Sequence, residues 1–558
     1  MPVISGKRAF LELLRMEGVE FLFGNPGTTE LPLMDAFAVE DSPRYILGLQ
    51  EAVVMAMADG YAQASGKLAA VNLHVAPGLG NAMGMLYDAQ KAASPLLITA
   101  GQHEQTFNVT EPILWADLPV VARPFVKWSS EVTRLQDLPR MIHRAAKVAL
   151  TPPTGPVFLS LPGDVLNATA DIDLGKPSRV ARNLRGDAEA IKQAARLLAA
   201  AENPVIIAGD AVAQNGAHAE VVALAELLGA PVYLEGVANT ASFPTSHPLF
   251  RGPINRLAHL IRAALEPHDV MLSLGGDLFT LSLPNEVEPI PPALKIVHVD
   301  VDPWELGKNY ATDVAILADP KSAAPDIAAC LREIAKPAQQ ARWKVRGEQA
   351  AKANRAIRDK LVAQARAEAE KSPLQPLALL HAIGEALPKN AVVIEEALSS
   401  AGGIRHMMAS DDPQSFYGLR GGGIGWGLSA AVGVKLALPD RPVVALIGDG
   451  SSMYTIQALW SAAHDKVAVI FVILNNRSYR ILKQRTNALK GHAAQMDKFV
   501  GMDFTDPPID FPNLARSMGV EALSASTLDE VRSALATALK ANKPMLIDVA
   551  LDRSFKPV

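Results

Sequence analysis

The sequence predicts an α/β protein made of three doubly wound domains, each on a mostly parallel sheet, and three observations carry that reading. Short apolar runs alternate with helix-length segments along nearly the whole chain, as repeated strand-helix-strand units require. The length of 558 residues is too great for one core when a domain takes roughly 150. The composition, 49% hydrophobic with 20% charged and 5% aromatic residues, suits packed cores of Ala, Val, Leu and Gly and excludes disorder.

The first series of apolar runs, "FLFG", "RYILGLQ", "AAVNLHV", "PLLITAG" and "GPVFLSLP", assigns a domain to residues 1–180. A polar, Gly- and Pro-marked connection at about 170–190 leads to a second series, "NPVIIAGDAV", "APVYLEGVA", "VMLSLGG" and "KIVHVDVDP", and a central domain over 190–335. Residues 336–372 are Ala-rich with mixed charges, which predicts a solvated connecting helix. The third series, "AVVIEEALSS", "PVVALIGDG", "VAVIFVILNN" and "PMLIDVALD", fills a domain over 373–558.

Several classes of function are excluded early. A formal charge of -5 gives no basic face for releasing counterions from a nucleic acid. The single cysteine, Cys330 in "DIAACLREI", allows neither an intrachain disulfide nor a Cys-based zinc site and reads as a buried helix position. The start lacks a continuous apolar leader, and no segment offers the roughly 18 apolar residues that span a bilayer. A cytoplasmic protein without a membrane partner is therefore expected. No G-x-x-x-x-G-K-[ST] occurs, so a P-loop is absent. "GLGNAMG", after "AAVNLHV", suggests a dinucleotide loop with Glu104 as its acidic partner, which keeps a nicotinamide dehydrogenase as a remote alternative.

The informative stretch is "LIGDGSSMYTIQALWSAAHDKVAVIFVILNNRSY", residues 446–479. Two strands of one parallel sheet deliver their ends to the same edge, so Asp449 and Asn476 should meet there. Gly450, Ser451 and Ser452 open the helix-length interval, whose free N–H groups suit a phosphate. Gly448 and Gly450 let the backbone come close. A carboxylate, an amide oxygen and a carbonyl are hard ligands of the kind Mg²⁺ takes when it also holds a diphosphate.

"GDG", an apolar-rich interval and "NN" resemble the signature of thiamin diphosphate-dependent enzymes. The resemblance implies that Asp449, Asn476 and the main-chain carbonyl of Ser478 bind Mg²⁺, with Tyr479 beside the cofactor. Glu51, in "LQEAVVMAMADGYA", follows a strand and opens a helix. Alone it reads as a dipole partner for that helix. The resemblance implies instead that it hydrogen-bonds N1' of the aminopyrimidine and promotes the imino form that deprotonates thiazolium C2. In "LRGGGIGWG", Ile424 would hold the cofactor bent and the carbonyl of Gly422 would accept from its 4'-amino group. Ser399 and Ser400, with Glu396, occupy the loop expected at the diphosphate, although Leu398 stands where a hydroxyl is expected. In such enzymes the cofactor bridges two subunits, which implies a homo-oligomer, at least a dimer and by expectation a tetramer.

The resemblance covers essentially the whole chain and is closest to benzoylformate decarboxylases through "FGNPGTTELPL", "YILGLQEAVVMAMADGYAQASGK", "VNLHVAPGLGNAMG" and "SPLLITAGQ". It implies a site histidine at His74 and a substrate hydrogen bond from Thr28. The chain also departs from that pattern. The loop "GGDLFTLSLPNE" carries no histidine, and the expected aromatic pocket positions are Gly418 and Arg485, with Ile481 beside them. Arg485 is either a partner for a substrate carboxylate or phosphate, or an ordinary helix arginine. No adjacent His pair favours the pyruvate decarboxylase type, and nothing in the central domain compels an FAD. The implied activity is non-oxidative decarboxylation of a 2-keto acid to an aldehyde with possible carboligation. The alternatives are a carbon-carbon ligase or lyase like acetolactate synthase or 2-hydroxyacyl-CoA lyase and, remotely, a noncatalytic cofactor-binding protein.

Overall fold

A computed structural model of the chain describes residues 3–555 apart from 238, 282 and 285. It contains three six-stranded parallel sheets and one small antiparallel pair joining Val3–Ser5 to Thr169–Asp171. From edge to edge, the first sheet runs Arg44–Leu47, Phe21–Gly24, Ala69–Leu73, Leu96–Gln102, Val157–Pro162 and Ser129–Glu131. The central sheet runs Phe250–Pro253, Val232–Leu234, Val205–Ala208, Val270–Leu274, Lys295–Asp300 and Val314–Leu317. The third runs Phe416–Gly418, Val392–Glu396, Val443–Gly448, Val469–Asn475, Met545–Ala550 and Glu521–Ala525. Helices cover both faces, so the central strands are apolar nearly throughout and buried along their length.

Each sheet has an interior point where its strand order switches direction, and an open parallel sheet leaves a crevice there, at the carboxyl ends of the strands. In the first sheet the reversal lies between Phe21–Gly24 and Ala69–Leu73, and in the third between Val392–Glu396 and Val443–Gly448. In the central sheet it lies between Val205–Ala208 and Val270–Leu274.

The first and third domains share a core across one helix pair, Glu51–Ser65 against Trp426–Ala437. Both helices are apolar on nearly all sides, as buried helices are. They can touch because Gly60 lies against the backbone of Ala430 and Gly433 against that of Met57, where any Cβ would collide. Asp59 ties the pair by accepting from Trp426 Nε1 at 2.7 Å. The connecting helix Pro337–Ala367 is less solvated than its composition predicts. Trp343 is buried, Gly347 packs on Gly229, and Arg346 Nε caps the carbonyl of Leu228 at 3.1 Å. Cys330 is half-buried on the helix Pro320–Ile334. Among the described residues, no helix is long and apolar enough to cross a membrane.

Two local expectations are corrected. "GLGNAMG" is not a loop, since Gly78, Gly80 and Gly84 all lie within the helix Val75–Lys91. That removes the dinucleotide cradle. The interval after Gly450 is not one helix but two short ones, Asp449–Ser452 and Ala458–His464. It breaks where the chain packs on the glycine loop of the same domain: Tyr454 covers Gly425, and Thr455 Oγ1 donates to the Gly425 carbonyl at 2.5 Å.

Candidate active site

The first crevice gathers Glu51, His74 and the loop after Phe21–Gly24. Glu51 begins its helix but does not cap it, because the side chain of Gln50 accepts from the amides of Ala52 and Val53 at 2.6 and 3.3 Å. The Glu51 carboxylate is instead held by two amides, Asn81 Nδ2 at 3.0 Å and Asn25 Nδ2 at 3.3 Å. Beside it, His74 Nδ1 lies 2.8 Å from Glu30 Oε2 and 3.2 Å from Thr29 Oγ1. Glu30 is fully buried and also accepts from the amides of Gly27 and Gly101, each at 2.9 Å. The hydrogen bond to Glu30 raises the pKa of His74 above its ordinary value against the opposing effect of burial. Because Nδ1 is committed to Glu30, Nε2 is the ring atom left for a ligand. The next residue, Val75, has φ 42° although it is β-branched, a strained backbone of the kind that active sites hold.

The hydroxyl next to His74 is that of Thr29, the neighbour of the expected Thr28. Thr28 and Thr29 share the tight turn Thr28–Glu30, and it is Thr29 that faces His74 while Thr28 is exposed. Glu30 and Asn81 were not legible as site residues. Glu30 stands among apolar neighbours in "TTELPL", and Asn81 sits inside the misleading "GLGNAMG".

The third crevice holds the Asp and Asn predicted to share an edge. The strands ending at Gly448 and Asn475 pair directly, with Gly448 opposite Leu474. Asp449 is 2% exposed; its Oδ1 accepts from the amide of Gly450 at 3.0 Å, and Oδ2 is buried with no partner. Burial pushes its carboxyl up to about 6, against the pull of the amides of Gly450, Arg477 and Ser478. Asn476 Oδ1 accepts from the amide and hydroxyl of Ser478, at 3.1 and 2.8 Å. Asn475 is structural, donating to Asp548 Oδ1 at 3.0 Å. Gly450 is needed because a Cβ there would lie 2.5 Å from the Tyr479 ring, itself fixed edge-on to Phe504. Gly448 is not crowded, its nearest neighbour being the Glu396 carbonyl at 3.7 Å.

The rest of this crevice is organised by residues whose roles come from distant contacts. Arg480 is buried and binds the Ser399 carbonyl and Ser400 Oγ, each at 2.8 Å, so it shapes the serine loop. Glu396 accepts from the amides of Gly425 and Gly427 at 2.6 and 2.5 Å and so caps the helix Trp426–Ala437, and it also bonds the side chain of Ser451. Burial pushes its carboxyl up to about 7. Gly422, at φ 89°, is exposed and Ile424 is half-buried beside it. Asp88 Oδ1 takes the amide of Gly423 at 3.0 Å.

At the expected substrate end, Gly418 closes the edge strand beside Glu395, whose carbonyl lies 3.6 Å from where its Cβ would be. Ile481 and Arg485 share one face of the helix Arg480–Ala488. Burial and the repulsion of Arg485 lower the pKa of Arg256, which comes from the central domain; Glu395 acts in the opposite direction. Arg485 thus lies close enough to Arg256, from the central domain, for the two positive charges to repel. Ser282 and Asn285 of the loop "GGDLFTLSLPNE" lie outside the described residues.

Comparison with known proteins decides what these crevices belong to. Residues 4–113 match the thiamine pyrophosphate enzyme N-terminal TPP binding domain, 191–327 the central domain and 400–549 the C-terminal TPP binding domain of the same family. The chain belongs to the thiamine pyrophosphate enzymes. It is 36% identical to a benzoylformate decarboxylase of Pseudomonas aeruginosa over 97% of this chain and 98% of that protein. It is 29% identical to a probable acetolactate synthase large subunit of Methanocaldococcus jannaschii over 98% and 92% of the two chains. Among solved structures, the 4-hydroxybenzoylformate decarboxylase of Rhodococcus jostii superposes with a TM-score of 0.85 at 33% identity, covering 99% and 100%. The benzoylformate decarboxylase of Polynucleobacter necessarius superposes with a TM-score of 0.88 at 31% identity, with the same coverage.

The residues of this thiamine pyrophosphate enzyme fit a diphosphate with its cation. The orphaned Oδ2 of Asp449 is a buried acceptor lacking a positive partner, which is costly unless a cation supplies one. Among the described residues, no cluster of three His, Cys, Asp or Glu side chains could hold a metal. A cation at Asp449 would need neutral oxygens and those of the diphosphate, as Mg²⁺ commonly does.

Proposed function

We propose that this chain is a thiamin diphosphate- and Mg²⁺-dependent carboxy-lyase that converts a 2-keto acid to an aldehyde. The observation that carries this reading is the Glu51 carboxylate, which is buried, spared from capping its own helix and presented by Asn25 and Asn81. Asp449, Asn476 and the carbonyl of Ser478 would hold Mg²⁺. Gly448, Gly450, Ser451, Ser399, Ser400 and Tyr479 would border the diphosphate, and Gly422 and Ile424 the aminopyrimidine. The cofactor supplies the electron sink that accepts the bonding pair when CO2 leaves. Glu51 holds and returns the proton that activates it, and His74, whose pKa is raised by its hydrogen bond to Glu30, orients the substrate and delivers a proton. Thr28 and Thr29 border the substrate carboxylate, while Gly418, Ile481 and Arg485 line the far end.

The reading requires a second copy of the chain. In the antiparallel helix pair Gly60 meets Ala430 and Met57 meets Gly433. That register sets Glu51 and Gly425 roughly 14 helical residues apart along the axis, about 21 Å. A second measure agrees: Asp88, which grips Gly423, is on the helix that starts beside His74, about 20 Å from its beginning. Glu51 would therefore serve the diphosphate half of a neighbouring copy. Phe107, Val109, Ile113, Met453 and Tyr454 are exposed, apolar surface that an at least dimeric, by expectation tetrameric, assembly would cover. The enzyme is taken to be cytoplasmic.

Purified protein with thiamin diphosphate and Mg²⁺, challenged with a panel of 2-keto acids and scored for CO2, aldehyde and acyloin, tests the proposal. Aldehyde with stoichiometric CO2 is expected. Acyloin or acetolactate as the main product would assign the chain to the ligase branch instead.

A further inference from the structure

The crevice of the central sheet has the position at which such sheets take nucleotides, yet a side chain of this protein fills it. Asp210 follows the strand Val205–Ala208, Glu235 follows Val232–Leu234 and Asp277 follows Val270–Leu274. All three converge on Arg420 of the third domain. Its Nη1 lies 2.5 Å from Glu235 Oε1 and 3.4 Å from Asp210 Oδ2, Nη2 lies 3.3 Å from Asp277 Oδ1, and Nη1 also donates to the Val237 carbonyl at 2.7 Å. The floor is glycine, with Gly209, Gly275 and Gly276 packed so closely that a Cβ on Gly276 would collide with Glu235. The guanidinium of Arg420 already occupies the meeting point of these side chains, and a phosphate placed there would face three carboxylates.

Arg420 directly precedes the loop 421–425. The loop is also gripped by Asp88 at the amide of Gly423, by Glu396 at the amide of Gly425 and by Thr455 at the carbonyl of Gly425, and Glu396 holds the amide of Gly427 in the helix that follows. Asp210 extends the grip, accepting from the amide and hydroxyl of Thr240 at 3.1 and 2.7 Å; Thr240 in turn bridges to Tyr417 of the third sheet. We propose that the central crevice is the socket of Arg420 and not a nucleotide site, and that seating Arg420 there positions the loop carrying Gly422 and Ile424 for thiamin diphosphate. A buried guanidinium among carboxylates fixes geometry more than it adds stability, which suits a positioning residue.

The test combines hydrogen exchange of 419–425 in cofactor-free protein with calorimetric binding of thiamin diphosphate in Mg²⁺, at a temperature where every variant is folded. The proposal rests on the family's cofactor; the exchange arm tests the socket without it, so failures of the two readings are distinguishable. Arg420→Met should speed exchange in the loop and weaken thiamin diphosphate binding about tenfold. Arg420→Lys should recover part of both. Arg346→Met, which removes a carbonyl cap elsewhere on the central domain, should lower stability without moving either readout. Should Arg420→Met not fold, Glu235→Gln carries the test and should loosen the loop in the same direction. ADP and FAD should not bind the wild-type chain. Unchanged loop exchange with cofactor affinity within twofold of wild type, in folded Arg420→Met or in Glu235→Gln, would overturn the proposal. So would micromolar binding of ADP or FAD.

Discussion

His74 Nδ1 and Glu30 Oε2 form a 2.8 Å ion pair between the loop after one strand and the end of its neighbour, with Glu30 wholly inside the protein. Glu30 raises the pKa of His74, so the stabilisation from the pair is fully present below the pKa of an unfolded histidine. It is lost as pH rises through the higher folded value. Glu30→Gln keeps the shape and removes the charge, so His74 should titrate at lower pH. The check is an NMR titration of the His74 ring with the pH profile of kcat/KM, whose alkaline limb should move down. A limb that stays in place would mean that His74 does not act in its protonated form.

Glu51→Gln should separate chemistry from binding. Asn25 and Asn81 each hold a different oxygen of Glu51, so the Gln variant keeps one of these hydrogen bonds and the other amide can turn its own oxygen to the new NH2; folding and cofactor affinity should change little. The rate should fall by roughly 10²–10⁴, the range for a lost general acid-base group. Steady-state rates alongside calorimetric cofactor binding decide it. Full activity in Glu51→Gln would remove Glu51 from the chemistry.

The strands were legible because apolar runs end on Gly, Asp or Asn, and the Asp449 and Asn476 pair because parallel neighbours end at one edge. Arg480, Asp88 and Arg420 were not, since each acquires its role from a partner far along the chain: Arg480 from Ser399 and Ser400, Asp88 from Gly423, Arg420 from Glu235. Nothing local distinguishes such a residue from an ordinary surface charge. The offset between Thr28 and Thr29 has another cause. Both lie in one tight turn, and which hydroxyl points inward depends on the turn's orientation against Glu30 and His74. The helix break after Ser452 was equally hidden, because it answers to Gly425 in another segment.

Asp88→Asn should stabilise the protein in a pH-dependent way. Burial pushes the Asp88 carboxyl up to about 8, with Asp59 and Glu396 adding to the shift and the Gly423 amide opposing it. A carboxyl that binds its proton more tightly when folded costs stability as pH rises from its unfolded pKa towards its folded one. The variant keeps an acceptor for the Gly423 amide and never ionises. Its Tm should exceed that of wild type by an amount that grows between pH 5 and pH 8, as read by calorimetry across that range. A constant difference would show that Asp88 does not titrate there.

At the proposed substrate end Arg485 and Arg256 would set two positive charges against the one carboxylate of Glu395, and among the described residues neither guanidinium has an ion-pair partner. Like charges held together from two domains are costly unless an anion joins them. The Glu395 carboxylate, which accepts from the amide of Ala397 at 2.7 Å, offsets one of the two charges at most. A 2-keto acid with a second anionic group should therefore be preferred over one ending in an uncharged ring. Arg485→Leu should raise KM for the dianionic substrate roughly tenfold or more, the loss expected of one charge-assisted contact, and should lower KM for benzoylformate. Equal effects on both substrates would leave Arg485 a structural helix residue, with substrate choice resting on His74 and the threonine turn.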